Sequence, residues 1–146
     1  MEKEFIPYKQ ALALKELGFD EPCFATYNSD KKVNRNPSHN MEDLPIEGQP
    51  YYWNNSKIYK SCITTPLYQQ AFRWFREKYG IIGNVNDNCI LENTYSISIS
   101  KIFDSRILYV NGRNHNLKDK QGFTTYEEAE LECLKKLIEI VKNGKK

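Results

Sequence analysis

The chain has 146 residues, 40% apolar and 27% charged, which suits one ordinary globular domain and excludes a disordered or membrane-embedded polymer of low complexity. Lysine and arginine number 21 against 19 aspartates and glutamates, a net charge of +2, and this small surplus argues against generic DNA or RNA binding. A mean hydropathy of −0.70 assigns much of the polar sequence to loops.

The amino-terminal run MEKEFIPYKQ carries two glutamates where a signal peptide needs an apolar core, and no stretch approaches the ~20 apolar residues of a membrane span. The expectation is a cytoplasmic protein without a membrane partner. The segment IPYKQALALKELGF reads as a first helix, with Pro7 in its first turn and with Tyr8, Ala11, Leu12 and Leu14 at helical spacing. Gly18 followed by Phe19 is the signature of a glycine C-cap whose next apolar residue folds back on the last turn.

A short strand is expected over Cys23 to Tyr27, closed by an Asn-Ser-Asp turn. From about residue 28 to residue 50 the composition shifts to Asn, Lys, Asp, Pro and Ser, and this reads as one long irregular loop. Such a loop is either a loosely draped insertion or a lid over a ligand or subunit. Next, PYYWNNSKIYKSCI suggests a hairpin, Tyr51 to Trp53 against Lys57 to Cys62, turning at Asn54, Asn55 and Ser56. Three adjacent aromatics cannot all face one core, so at least one of Tyr51, Tyr52 and Trp53 is expected to point elsewhere.

The second helix has sharp sequence boundaries in TTPLYQQAFRWFREKYG: Thr65 as N-cap, Pro66 in the first helical position and Gly80 just past the end. Tyr68, Phe72, Phe75 and Tyr79 form one apolar stripe, broadened by Ala71 and Trp74. Gln69, Arg73, Arg76, Glu77 and Lys78 fall largely on the opposite face. A strand with a turn follows in IIGNVNDNCILEN. In TYSISISKI the alternation of Tyr95, Ile97 and Ile99 with Ser96, Ser98 and Ser100 has the period of a strand with one buried and one wet face.

A turn at Phe103-Asp104-Ser105 leads to a further strand, Ile107 to Val110, expected to pair antiparallel with the previous one. The last helix is FTTYEEAELECLKKLIEIVKNGKK, opened by a capping box of Thr124 with Glu127 or Thr125 with Glu128. Its stripe is Tyr126, Ala129, Cys133, Leu134, Leu137, Ile138 and Val141. Glutamates crowd its start and lysines its end, as the helix dipole favours. The sum is a single α+β domain over 1–146: a mainly antiparallel sheet of about four to five strands with three helices, N-terminal, central and C-terminal.

Signatures of catalysis are missing from the sequence. It contains no glycine-rich phosphate loop, no G-x-S-x-G elbow, no H-E-x-x-H and no zinc-deaminase pattern, so neither a catalytic residue nor a cofactor is expected. The four cysteines, Cys23, Cys62, Cys89 and Cys133, form no C-x-x-C pair, and His39 and His115 stand in polar sequence without a neighbouring second ligand. Buried free thiols and no metal are the expectation. The glutamates at the start of the last helix read as capping and dipole design.

What remains are groups suited to binding. Arg73 and Arg76, one turn apart, can share a phosphate or carboxylate, or else lie on a solvated face. Lys101 and Arg106 stand close in sequence to the serine row, which can supply hydrogen bonds to a phosphate or ribose, and a solvated sheet face gives the same pattern. Tyr51 and Trp53 can supply rings on which a base stacks. The candidate ligand-binding set is Arg73, Arg76, Lys101, Arg106, Tyr51 and Trp53.

The runs EFIPYKQALALKELGFDEPCFATYNSD, PLYQQAFRWFREKYG and TTYEEAELECLKKLIEIVKNGKK resemble a family of small uncharacterised proteins encoded by phages and prophages of Bacteroides-type bacteria. The resemblance covers close to half of the chain, mostly in the three helices, and the segment from Asp30 to Ser61 departs from it. It implies a protein of the host cytoplasm with an anti-defence role. Within that context the expected activity is a non-enzymatic sponge, a homo-oligomer that sequesters a nucleotide-derived immune signal of cyclic-nucleotide or ADP-ribose type. The alternative is a protein-protein interaction module that inhibits a host protein through the 30–55 segment.

Overall fold

The structure is a computed structural model, and it describes residues 2–34, 53–58, 60–87, 94–103, 106–111 and 122–144. These form an α+β fold with three α-helices and two three-stranded antiparallel sheets. The chain divides into two compact units, Met1–Leu67 and Tyr68–Lys146. The expected single sheet of four to five strands is thereby corrected to six strands in two sheets. Three of them are only two residues long, too short to show a two-residue period in sequence.

In the first unit a 3-10 turn, Glu2–Glu4, precedes α1, Tyr8–Leu17. Pro7 stands at the N-cap with extended backbone, and Gly18 ends the helix in the left-handed region at φ 90°. Two backbone bonds close the cap: Gly18 N–H donates to the Lys15 carbonyl (3.0 Å) and Phe19 N–H to the Leu14 carbonyl (2.9 Å). Phe19 is buried, as a residue that folds back on the last turn must be. The buried face is Ala11, Leu14 and Leu17. Leu12, expected in the stripe, is exposed instead, because it lies one residue, or about 100°, round the helix from Ala11.

The small sheet has the order β2-β1-β3, from β1 (Thr26–Tyr27), β2 (Val33–Asn34) and β3 (Ile63–Thr64). β1 and β2 join through a tight turn in which the Asn28 side-chain oxygen accepts from the N–H groups of Asp30 and Lys32. The start of the expected long loop is therefore a hairpin, while 35–50 lies outside the described residues. Among the described residues the hairpin expected around Asn54-Asn55-Ser56 is not found, and Tyr51, Tyr52 and Tyr59 of its strands lie outside them. Trp53 bridges Cys23 with a reciprocal pair of 2.9 Å backbone bonds, and Ile63 and Thr64 pair with β1.

The turn residues themselves bind the corner after α1. Asn55 donates to the Phe19 carbonyl (2.8 Å), and Ser56 N–H donates to the Asp20 carboxylate (2.7 Å). The same Asn55 accepts from the Thr64 N–H (3.1 Å). Its side chain thus satisfies two backbone groups, a carbonyl just past α1 and an N–H of β3.

The second unit runs α2 (Tyr68–Tyr79), β4 (Ile81–Asp87), β5 (Tyr95–Lys101), β6 (Ile107–Asn111) and α3 (Tyr126–Gly144). The sheet is an antiparallel meander in the order β4-β5-β6. α2 begins at Tyr68 rather than directly after Thr65. Thr65 is buried and its hydroxyl donates to the Ile6 carbonyl (3.3 Å), while Ile6 N–H donates to the Pro66 carbonyl (3.1 Å). Tertiary pairing of 5–6 with 65–67 holds this stretch extended and overrides the local capping signal.

α3 packs against β4 and β5, and α2 against β4 and α3. Ala71, Trp74 and Phe75 of α2 are buried, and so are Ala129, Cys133, Leu134, Leu137, Ile138 and Val141 of α3. Between them lie Ile97 and Ile99, with no exposed surface. Gly83 permits the closest approach: a Cβ there would stand 2.7 Å from the Cys133 Sγ and 2.9 Å from Leu137 Cδ1. The serine face of β5 is drier than its pattern predicts, since Ser96 is buried and Ser98 and Ser100 are half-buried.

Candidate binding site at the β5–β6 hairpin

The end of the β5–β6 hairpin is held by backbone bonds on two sides. Lys101 N–H donates to the Arg106 carbonyl across the hairpin (2.9 Å), and Ile102 N–H donates to the Gly80 carbonyl at the α2–β4 junction (2.9 Å). Gly80 has φ 64°, a conformation in which a side chain is strained, and its N–H caps α2 on the Arg76 carbonyl (3.1 Å). The hairpin end is therefore pinned to the helix end, and the residues it presents sit on anchored backbone.

The outermost of these residues is Phe103. Its side chain is 95% exposed, although the ring edge passes within 3.7 Å of where a Gly80 Cβ would stand. Ile107 at 69% and Val110 at 40% continue the apolar surface along β6, and Ile102 adds to it at the turn. A single exposed aliphatic side chain needs no explanation. Four on one hairpin, led by an almost uncovered aromatic ring, form a patch of the kind that marks an interaction surface.

Register places the rest. Val110 opposes Ser98 and Ile107 opposes Ser100, so both face away from α3, whereas Tyr109 opposes Ile99 on the helix side. There the Lys136 ammonium lies over the Tyr109 ring, 4.9 Å from its centre. A register shift between Ile99 and Ser100 inserts Leu108 as a bulge. The bulge allows Ile107 and Val110, three apart in sequence, to share a face.

The sequence-derived candidates separate. Lys101 and Arg106 are brought together, exposed on either side of Phe103. Arg76 is exposed in the last turn of α2, and Arg73, also exposed, has its Nε 4.0 Å from the Glu77 carboxylate. Both arginines stand on the face of α2 that the core does not use. Trp53 is only 3% exposed, with its backbone bridged to Cys23, so its ring is a core element of the first unit with almost no face open for stacking. Tyr51 lies outside the described residues.

The residues that sequence reasoning missed are Phe103, Ile107 and Val110. The signal lies in KIFDSR, where an aromatic sits inside a turn between two cations. Charge chemistry elsewhere is quiet. Burial pushes the Cys23 thiol up to about 12, with the nearby Thr64 hydroxyl opposing and the Glu21 charge adding. Burial and then Glu130 do the same to Cys133, also to about 12. Thiols held protonated in this way are poor nucleophiles and poor metal ligands.

Among the described residues no three His, Cys, Asp or Glu side chains gather as a metal site, and no helix is long and apolar enough to cross a membrane. Comparison with protein-family models, with curated proteins and with solved structures finds no match.

Proposed function

We propose that the chain is a non-enzymatic protein-docking module whose contact point is the β5–β6 hairpin end. The observation that carries this reading is Phe103, 95% exposed on anchored backbone and flanked by Lys101 and Arg106. A rigid aromatic at the centre of a contact is the usual energetic anchor of a protein interface, and cations at its rim select partners by charge. An almost uncovered ring suits insertion into a partner's socket better than enclosure of a small ligand, which needs a concave site that covers most of the ligand's surface. The resemblance to phage and prophage proteins makes a host protein the proposed partner, with inhibition as the outcome. Part of the 30–55 segment assigned to docking from sequence lies outside the described residues.

The test is a pull-down from host lysate with the wild-type chain and with Phe103→Ala. A protein retained in stoichiometric amount by the wild type should bind the variant roughly 30-fold or more weakly, as loss of a hot-spot aromatic predicts. Equal binding by a variant with an unchanged circular-dichroism spectrum would overturn the proposal.

A second reading keeps the nucleotide sponge, supported by the juxtaposition of Lys101 and Arg106 around a ring on which a base can stack. Under that reading cyclic nucleotides or ADP-ribose raise the melting temperature of the wild type and not of Lys101→Ala/Arg106→Ala. The ligand should also be recovered intact after denaturation. No shift with any member of the panel would sink this second reading.

A further inference from the structure

We infer that β6 is the seam of a homodimer, pairing antiparallel with β6 of a second copy of this chain to join two three-stranded sheets into one of six strands. The proposal does not rest on the docking function, since Phe103 projects from the hairpin end and lies off the seam.

The first argument is the edge itself. In the order β4-β5-β6 the two edges are treated differently: α2 packs against β4, which carries Asn84, Asn86 and Asp87, whereas β6 reads Ile-Leu-Tyr-Val-Asn with no charge and no proline. Edge strands are normally guarded by lysine, proline or an inward charge, because their free backbone groups recruit another strand. Here the one charged residue within the two edge strands, Asp87, sits on β4. Among the described residues no strand pairs with the outer side of β6, and this edge is β-branched and aromatic, with its outward side chains, Ile107 and Val110, on one face of the sheet. A neutral strand also brings no like charges into opposition when it meets its own copy.

The second argument is charge. Among the described residues one end of the second unit is basic on balance: Lys101 and Arg106 at the hairpin, and Arg76 and Lys78 around Glu77 in the last turn of α2, which runs through Gly80 into Ile81 opposite Lys101. Among the described residues the other end is acidic. Asp87 opposes Tyr95 there, and the Tyr95 ring meets the Tyr126 ring at the start of α3, where Glu127 and Glu128 are exposed. β6 spans the two ends, from Ile107 beside the basic one to Asn111, which opposes Ile97 towards the acidic one.

An antiparallel β6–β6 seam lays the basic end of each copy beside the acidic end of the other. A parallel arrangement would place like ends together. The two-fold pairing therefore matches charge at both ends while it buries Ile107 and Val110 of each copy side by side, and it selects a second copy over an unrelated strand, to which this end-to-end match need not apply.

The experiment is analytical ultracentrifugation of the full chain over a concentration series, with Ile107→Lys, Val110→Lys and Phe103→Ala beside the wild type. The wild type should sediment at twice the 17.2 kDa of one chain. Either lysine substitution should raise the dimer dissociation constant by about tenfold or more, by placing like charges beside an apolar seam, and Phe103→Ala should leave it unchanged. Added salt should weaken the wild-type dimer, because the matched ends are screened. Circular dichroism establishes that each variant is folded, and Ile107, the more exposed position, remains the test if Val110→Lys is not. A wild type that stays monomeric throughout overturns the proposal and leaves the edge to a different chain. A dimer indifferent to both lysines overturns it as well, since its interface lies elsewhere.

Discussion

Individual positions show where packing leaves no slack. Gly83 is required for space: a methyl group there meets Cys133 Sγ at 2.7 Å and Leu137 Cδ1 at 2.9 Å, well inside van der Waals contact. Gly83→Ala should destabilise the protein by about 1–3 kcal/mol, the usual cost of overpacking, as read by the urea midpoint at unchanged slope. An unchanged midpoint would mean that α3 can move off β4 freely. The cysteines separate by burial in the same way. Among the cysteines of the described residues Cys23 and Cys133 are buried free thiols and Cys62 is half-buried, so a thiol reagent followed by peptide mapping should label Cys62 before either of them. Cys23 and Cys133 should react only on unfolding, and rapid native labelling of either would contradict their burial.

At the scale of elements, the ends of the helices carry testable chemistry. Gly18 sits at φ 90° and its N–H donates one of the two closing bonds of α1, so Gly18→Ala should cost about 1 kcal/mol or more through backbone strain alone. α3 opens with Thr125 Oγ1 accepting from the Glu128 N–H (3.2 Å), and the Glu128 carboxylate accepts from the Thr124 N–H (3.4 Å) and hydroxyl (3.2 Å). Thr125→Ala should then cost about 0.5–2 kcal/mol in thermal or urea unfolding. A variant as stable as the wild type would show that packing of α3, rather than its cap, sets where the helix starts. This capping box was legible from T-T-x-E-E spacing, because both partners are near neighbours in the chain.

α2 shows the opposite case. Thr65 and Pro66 carry a strong local start signal, and yet the helix begins at Tyr68, since Ile6 and Phe5, some sixty residues earlier, claim the backbone of 65–67 for extended pairing. The asparagine run at 54–55 is similar. It looks like turn chemistry, and its side chains serve as hydrogen-bonding staples to the corner at Phe19 and Asp20. Propensity is a weak prior wherever a distant strand can offer better pairing.

For the whole molecule, Cys23 in the first unit and Cys133 in the second are buried thiols whose titration is shifted upwards, and this couples stability to alkaline pH. A thiol that ionises near 9 when unfolded and near 12 when folded binds more protons in the native state between those values. Its stabilising contribution is complete below pH 9 and declines as pH rises towards 12. Urea unfolding at pH 8 and pH 10 should show a loss at the higher pH that is smaller in Cys133→Ala relative to that variant's own value at pH 8. An equal loss in the variant would assign the effect to other groups.

The amino-acid order by itself determined the three helices, the C-caps at Gly18 and Gly80 and the antiparallel pairing of β5 with β6. Each depends on spacing within a few turns or across one short hairpin, and local periodicity records such spacing directly. Only the tertiary structure decided that Trp53 is core, that the short strands pair in a second sheet, and that Phe103 stands uncovered between Lys101 and Arg106. Burial is a property of what arrives from elsewhere in the chain. An aromatic residue in a polar turn and one in an aromatic cluster look alike in sequence until the fold covers one of them and leaves the other in solvent.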